Sequence, residues 1–426
     1  MFPTPPSDLP PDPVTEVPQP EASHMKPMSA TALAVVLASL AMLGPFSIDA
    51  YLPAFPYIES SLGASQIEVQ QSLTFYMLAF AGMVLWHGAL SDAFGRRNVI
   101  LVSLVTFAIG TLGCAASHTV HYLWMFRILQ GVSAGAGVVV GRAIIRDLYS
   151  DAPAARLLSL VTMIFSIAPA VAPILGGWVV KLFDWRSIFH FLFVYTIILF
   201  VLCYKRLPET LPPHKRQPFN PRFLARNYGA VFRSPLFHMK CGVVALNFAG
   251  LFIFIAAAPV MLPQQLHLGP AQFGWLFIPS VSGIFLGALA ANRIAGRMTF
   301  ARQIGIGFVF LLAAASFNVG YHLLYPPSLP WSVLPMFVYT FGMSVVAPGA
   351  TLLALDLFPH IRGTVASCQS FAVTLLGALV AGVIAPFLSH SVLWLAVGQL
   401  AFSGAALLLW LTSRFYRSML LRQTSR

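Results

Sequence analysis

Charge is what this chain most lacks. Of its 426 residues only 9% are charged and 58% are hydrophobic, and mean hydropathy is +0.79. A soluble globular domain carries about 25% charged residues, so folding in water is excluded and a chain that crosses a membrane many times is expected. Acids are scarcer still, 13 against 25 Lys plus Arg, for a formal net charge of +12. Cysteine is rare as well. Cys114, Cys203, Cys241 and Cys368 form no CxxC pair and lie in or beside apolar runs. That argues against a disulfide framework or thiolate metal site and for four small buried hydrophobes. No GxxxxGK[ST] loop occurs, and the 11 histidines show no HExxH or paired metal spacing. No cofactor and no metal are expected, and energy for any uphill process has to come from an ion gradient.

What is present in abundance is apolar length. Runs of about 20 residues, enough for a helix to cross the hydrocarbon core, occur twelve times, from residues 31–52 to residues 392–413. A basic connection divides them six and six. The expected organisation is a proline-rich disordered tail at 1–28, a six-helix half at 29–206, a central cytoplasmic linker at 207–236, a second six-helix half at 237–413 and a basic tail at 414–426. If both termini are cytoplasmic, every Lys and Arg lies on the inner side except Lys181, Arg186 and the intramembrane Arg127. The positive-inside rule favours that orientation. The positive charge then faces anionic lipid heads, and no nucleic-acid partner is needed to explain it.

Four stretches stand out against this background. Gly88-Ala-Leu-Ser-Asp92-Ala-Phe-Gly95-Arg96-Arg97 is a tight polar turn between the second and third runs. Asp49 sits within the first run, where a charge at the membrane centre costs about 2.5–3.5 kcal/mol on insertion scales. Such an acid either faces a cavity and carries a proton, or lies near the outer interface by Pro53 and caps a helix break. Arg127, in Phe-Arg127-Ile-Leu-Gln130-Gly131, keeps its charge and needs a carboxylate, carbonyls or water. Asp49 is the evident intramembrane partner, directly or through Gln130; the alternative is an arginine that snorkels to the outer interface. The fifth run carries Ala168-Pro169-Ala-Val-Ala-Pro173-Ile-Leu-Gly176-Gly177, whose prolines loosen backbone bonds and whose small residues permit close helix packing.

The turn resembles the signature loop of the major facilitator superfamily of transporters. Gly287-Ala-Leu-Ala-Ala-Asn-Arg293, followed by Gly296-Arg297, echoes it without the acid. Adding Asp49-Ala-Tyr51-Leu-Pro53, Arg142-Ala-Ile-Ile-Arg146-Asp147 and Leu207-Pro-Glu209-Thr-Leu narrows the resemblance to the Bcr/CflA family of drug:proton antiporters. Ala93 departs from it, standing where a basic residue is common. The resemblance implies an all-α membrane protein with twelve transmembrane helices in two six-helix halves, placed in a bacterial inner membrane as a multi-pass monomer. It also implies a proton-coupling pair of Asp49 and Arg127, and export rather than import through the fifth-helix motif. A latch is implied too, in which Asp92 meets the start of the eleventh helix while Arg96 and Arg146 pair with acids such as Asp147.

Candidate substrate contacts are Tyr51, Tyr76, Gln130, Asn247, Phe254, Tyr339 and Gln369, an aromatic set suited to lipophilic or amphipathic molecules. A metabolite exporter or importer on the same fold is the alternative. A membrane-embedded enzyme would need a clustered Ser/His or His/Glu constellation, which is missing. Gly131-Val-Ser133-Ala-Gly135 matches a hydrolase elbow only in letters, because that motif requires a strand-to-helix turn.

Overall fold

The computed structural model describes residues 28–424, and among these every regular element is helical. The tail expected at residues 1–28 lies, but for Met28, outside the described residues. Twelve helices are long and apolar enough to cross a membrane. They are α1 Ala30–Leu62, α2 Gln66–Phe94, α3 Arg96–Ala115, α4 Val120–Leu148, α5 Arg156–Leu182, α6 Arg186–Arg206, α7 Pro235–Leu266, α8 Pro270–Ile294, α9 Phe300–Leu324, α10 Pro335–Leu355, α11 Pro359–Leu388 and α12 Val392–Tyr416. Successive helices run in opposite directions, so the connections gather at two ends. The end with the α2–α3 turn, the α6–α7 linker and most arginines is the basic end.

The helices pair by one rule used twice. In the first half α2 and α3 both pack on α4, α3 packs on α6, and α1 packs on α5. In the second half α8 and α9 both pack on α10, α9 packs on α12, and α7 packs on α11. Adding six to each number of the first set gives the second, the signature of a parallel repeat. Between halves, α2 meets α11 and α5 meets α8, a pair of contacts related by the same operation.

Local chemistry sets where the helices bend. Pro53 and Pro56 turn α1 through a short tight segment, Leu52–Ala54, before Phe55–Leu62, so the first span runs further than the apolar run alone predicts. α5 breaks at Ser166–Ile167; Pro169 opens its second piece and Pro173 lies inside it. At the other extreme, α12 continues as helix to Thr424, through the stretch expected as a separate basic tail. Arginines are good helix formers and nothing there breaks the ladder. The four cysteines are buried and free.

The linker also has structure of its own. Asn220 caps a helix at Pro221–Phe232 by accepting from the Phe223 N–H. One face of that helix packs Val231 against Val365 and Cys368 of α11. Its Tyr228 hydroxyl donates to Leu85 O of α2. Burial pushes the Tyr228 phenol up to about 12, with the neighbouring Cys368 thiol adding to the shift, so the donor keeps its proton at any physiological pH.

Candidate functional site

Arg127 organises the interior of the first half. α4 starts cleanly because Thr119 accepts from the Tyr122 N–H, and two turns later Arg127 points inward with 0% exposure. It therefore does not snorkel. Its Nη1 donates to Ser47 O at 3.0 Å, Ser47 Oγ at 2.8 Å and Gln130 Oε1 at 2.9 Å. Gln130 in turn donates to Thr111 Oγ1 of α3 at 2.8 Å. The guanidinium carbon lies 4.6 Å from the Tyr51 ring centre and 4.3 Å from that of Tyr76. Such desolvated cation–π contacts contribute about 2 kcal/mol each. The hydroxyl of Tyr51 hydrogen-bonds Ser72 Oγ, and that of Tyr76 donates to Gly44 O. Arg127 Nε and Nη2, however, are buried with no hydrogen-bond partner. Those two N–H groups lie along one edge of the guanidinium, the fork that matches the two oxygens of a carboxylate.

Asp49 is two residues beyond Ser47 and 6% exposed. Among the described residues its carboxyl takes no hydrogen bond and joins no ion pair, so it caps no helix break. Asp49 and Arg127 both lie within electrostatic reach of the Tyr76 hydroxyl. The direct pair expected between them is not formed, and helix geometry gives the reason. Residues two apart on an α-helix point about 200° away from each other, so with Ser47 aimed at α4, Asp49 is turned aside.

The second half repeats the design without charge. The Tyr339 hydroxyl donates to Asn247 O at 3.1 Å and lies 3.0 Å from Ser403 Oγ. Gln399 Nε2 donates to Gly250 O, and Asn318 Nδ2 approaches Gln399 Oε1 at 3.5 Å. Both polar atoms of the Asn247 side chain, and Asn318 Oδ1, are buried without a partner. Phe254 is fully buried on α7, and Gln369 of α11 donates to Thr351 Oγ1 of α10 at 2.9 Å. The seven expected substrate contacts thus fall into separate groups in the two halves. None is more than 6% exposed. Ser47, Thr111, Asn318, Gln399 and Ser403, which complete these networks, carry no signal in the sequence that separates them from other small or polar residues.

At the basic end the α2–α3 turn is a charge cluster. Arg96 meets Asp92 at 2.5 Å and Asp147, at the end of α4, at 3.0 Å. Its Nη1 also donates to Ser91 Oγ. Asp92 thus pairs with Arg96, and its backbone carbonyl accepts from Gln217 N of the linker. Arg146 stands in the last turn of α4 beside this cluster. Glu209, just past α6, accepts from the backbone N–H of Arg96 at 2.9 Å and of Arg97 at 3.3 Å. It caps α3 from 113 residues away and places a negative charge at the helix N-terminus, where the dipole favours it. Gly95 makes this possible: its φ is +95°, and a Cβ there would collide with the Glu209 carboxylate. Arg97 donates to Tyr204 O at 2.6 Å, and Gly88 of α2 faces Val139 of α4 with room for a methyl group.

At the opposite end α5 closes on its neighbours. A Cβ on Gly176 would run into Ala50 O of α1, and one on Gly177 into Pro270 O at the start of α8. The second approach joins the two halves.

The Major Facilitator Superfamily matches residues 37–381. The chain belongs to that superfamily. Among relatives of this superfamily member, the uncharacterized MFS-type transporter YdgK of Bacillus subtilis is 31% identical over 382 residues, 88% of this chain and 95% of that one. The bicyclomycin resistance protein homolog of Haemophilus influenzae is 28% identical over 356 residues, 82% of this chain and 88% of that one. These relatives bear out the resemblance read from the sequence motifs. Among solved structures, the human organic anion transporter MFSD10 superposes with a TM-score of 0.66 at 20% identity, over 91% of this chain and 100% of that chain. At that identity the likeness shows the shared fold.

Proposed function

We propose that this chain exports lipophilic or amphipathic small molecules in exchange for protons, by alternating access across a bacterial inner membrane with its basic end in the cytoplasm. The observation that carries the reading is an empty guanidinium fork and an unpaired acid buried in the same half. Arg127 holds three acceptors on Nη1 and offers Nε and Nη2 to nothing. Asp49, one short helical step from Ser47, has no partner of its own. Asp49 is also the one acid lying within the middle of a span among the described residues. Glu59, Glu68, Asp92 and Asp147 stand at span ends.

A neutral Asp49 fits this arrangement, since a protonated carboxyl has no need of the guanidinium. Binding of a substrate favours loss of that proton to the cytoplasm, and the carboxylate then turns into the Arg127 fork. Closing a buried ion pair changes how α1 sits on α4. Reprotonation from the outer side releases the fork and resets the cycle. While the site faces the cytoplasm, the close approach of Gly176 and Gly177 of α5 to α1 and α8 keeps the outer end shut. The name of the Haemophilus influenzae relative supports an antibiotic among the exported compounds.

Everted membrane vesicles with an acid interior test this reading. Adding members of a panel of lipophilic antibiotics and dyes is expected to release protons in the wild type, and Asp49→Asn is expected to abolish the release. Full proton-coupled export by Asp49→Asn would falsify the assignment of Asp49. No proton release with any compound, from folded and oriented protein, would move the function to a metabolite carrier.

A further inference from the structure

Two adjacent glutamines near the start of α2 reach across to the other half. Gln70 Nε2 donates to Ala256 O of α7 at 3.2 Å, and Gln71 Nε2 donates to Gly382 O of α11 at 2.9 Å. Gln70 is 1% exposed, so its bond is made out of water's reach. Both acceptors are backbone carbonyls inside apolar helices, where such groups are normally taken by their own ladder.

For Gly382 the local sequence supplies the opening. In an α-helix its carbonyl would be taken by the N–H of residue 386, but that residue is Pro386, which has none. The helix answers with a wider turn, a π-helical segment at Val380–Ile384, a feature often found at working positions of helices. Gly382 lies so close to α2 that a Cβ would stand 2.6 Å from Thr74 Cγ2 and 2.7 Å from Thr74 Oγ1. Gly377, further along α11, would bring a Cβ to 2.9 Å from Met77. α2 and α11 are therefore in close register at the end opposite the basic loops. There the Gly177 approach to Pro270 ties α5 to α8 on the other side of the molecule.

We propose that Gln70 and Gln71 are a clasp that holds the outer ends of the two halves together, and that opening to the outside requires both bonds to break. The proposal rests on the orientation given above, with the basic end inside. A side chain that reaches a backbone carbonyl of the opposite half has a partner only while the halves are shut at this end. Separation by even a few ångströms leaves the carbonyl to water. Two such bonds, each worth a net factor of several in an equilibrium constant, set the closed state apart from the outward-open state without using charge. The clasp is thus independent of the proton.

The test is a distance measurement on full-length protein in nanodiscs, with spin labels at Ser60→Cys and His390→Cys, exposed positions at the outer ends of opposite halves. Gln70→Leu/Gln71→Leu is expected to raise the long-distance population about tenfold. Pro386→Ala restores the N–H that competes for Gly382 O and is expected to move the distribution in the same direction by a smaller factor. An unchanged distribution in both variants, with both folded by size-exclusion profile, overturns the clasp. So does a drop in melting temperature without a shift in distance, which is the mark of plain packing bonds. If the double variant fails to fold, Pro386→Ala alone decides. Neither drug nor proton gradient enters the measurement, so failure of the antiport reading and failure of the clasp are separate results.

Discussion

The two halves share a plan of helix contacts and differ in what they bury. The first half sinks a guanidinium and a carboxyl among Tyr51, Tyr76, Ser47 and Gln130. The second places Tyr339, Ser403, Gln399 and Asn318 in the corresponding interior, and its buried charge, Lys240, sits near the start of α7 against the Trp410 ring. The contrast extends to the basic end. The α2–α3 turn is pinned by Asp92, Asp147 and Glu209, whereas the α8–α9 turn keeps Arg293 and Arg297 with no acid in its sequence. The buried acid and the open guanidinium fork therefore both lie in one of the two copies. In the proposed cycle the first half is the one that changes charge, and the second offers it a surface to move against.

Six substitutions, two of them as comparisons, would break or sharpen that contrast. The largest effect is expected from Arg127→Lys, which keeps a charge but loses the fork. Drug-driven proton release should fall at least about 100-fold, the scale of breaking a buried ion pair, while Tyr339→Phe in the second half should leave it within a few-fold. Equal losses would show that both halves carry the coupling. Next comes Gly176→Ala, whose methyl has to displace Ala50 of α1; overpacking of this kind costs about 1–3 kcal/mol, read as a lower melting temperature in detergent. Glu209→Gln removes the charge that caps α3 and should cost about 1 kcal/mol. Arg297→Gln, in the uncapped counterpart turn, should leave the melting temperature in place. The smallest change is expected from Asn247→Leu. Its amide has no partner to lose, so stability should stay within about 1 kcal/mol or rise, with proton release intact. A large loss of export with unchanged stability would instead assign the Asn247 amide to the substrate.

Much of the fold was legible before any coordinates. Twelve runs of apolar residues could be counted because lipid imposes a length on every span, and the six-and-six division followed from the long basic connection. The Arg127–Gln130 pair was legible for a similar reason, since a three-residue spacing puts both on one helical face. What stayed hidden depends on azimuth and on long loops. Hydropathy gives the depth of Asp49 but not the direction it faces, so the choice of Ser47 over Asp49 as the nearest partner of Arg127 appears only in three dimensions. Glu209 was visible as part of a motif, yet nothing in a local pattern connects a carboxylate after α6 with the N-terminus of α3. Gln70 and Gln71 look like ordinary polar residues at the start of a span. Only the opposing carbonyls, one of them released by a proline more than 300 residues away, give them a task.

The linker between the halves has a bearing on how such a chain can be divided. Its first part is fastened to the first half by Glu209 and by Gln217 on the Asp92 carbonyl, and its helix is fastened to the second by Val231 against Val365 and Cys368. Between Gln217 and Asn220 only Pro218 and Phe219 remain, and the Phe219 ring rests 6.1 Å from that of Trp86. A protease nick or a split gene at this point would leave the first stump docked on its own half and the linker helix bridging both, through Val231 on α11 and Tyr228 on Leu85 O of α2. The covalent bond across it adds local concentration rather than architecture. The Tyr228 bond to Leu85 O is a contact that would still hold the second piece's helix to the first across that seam.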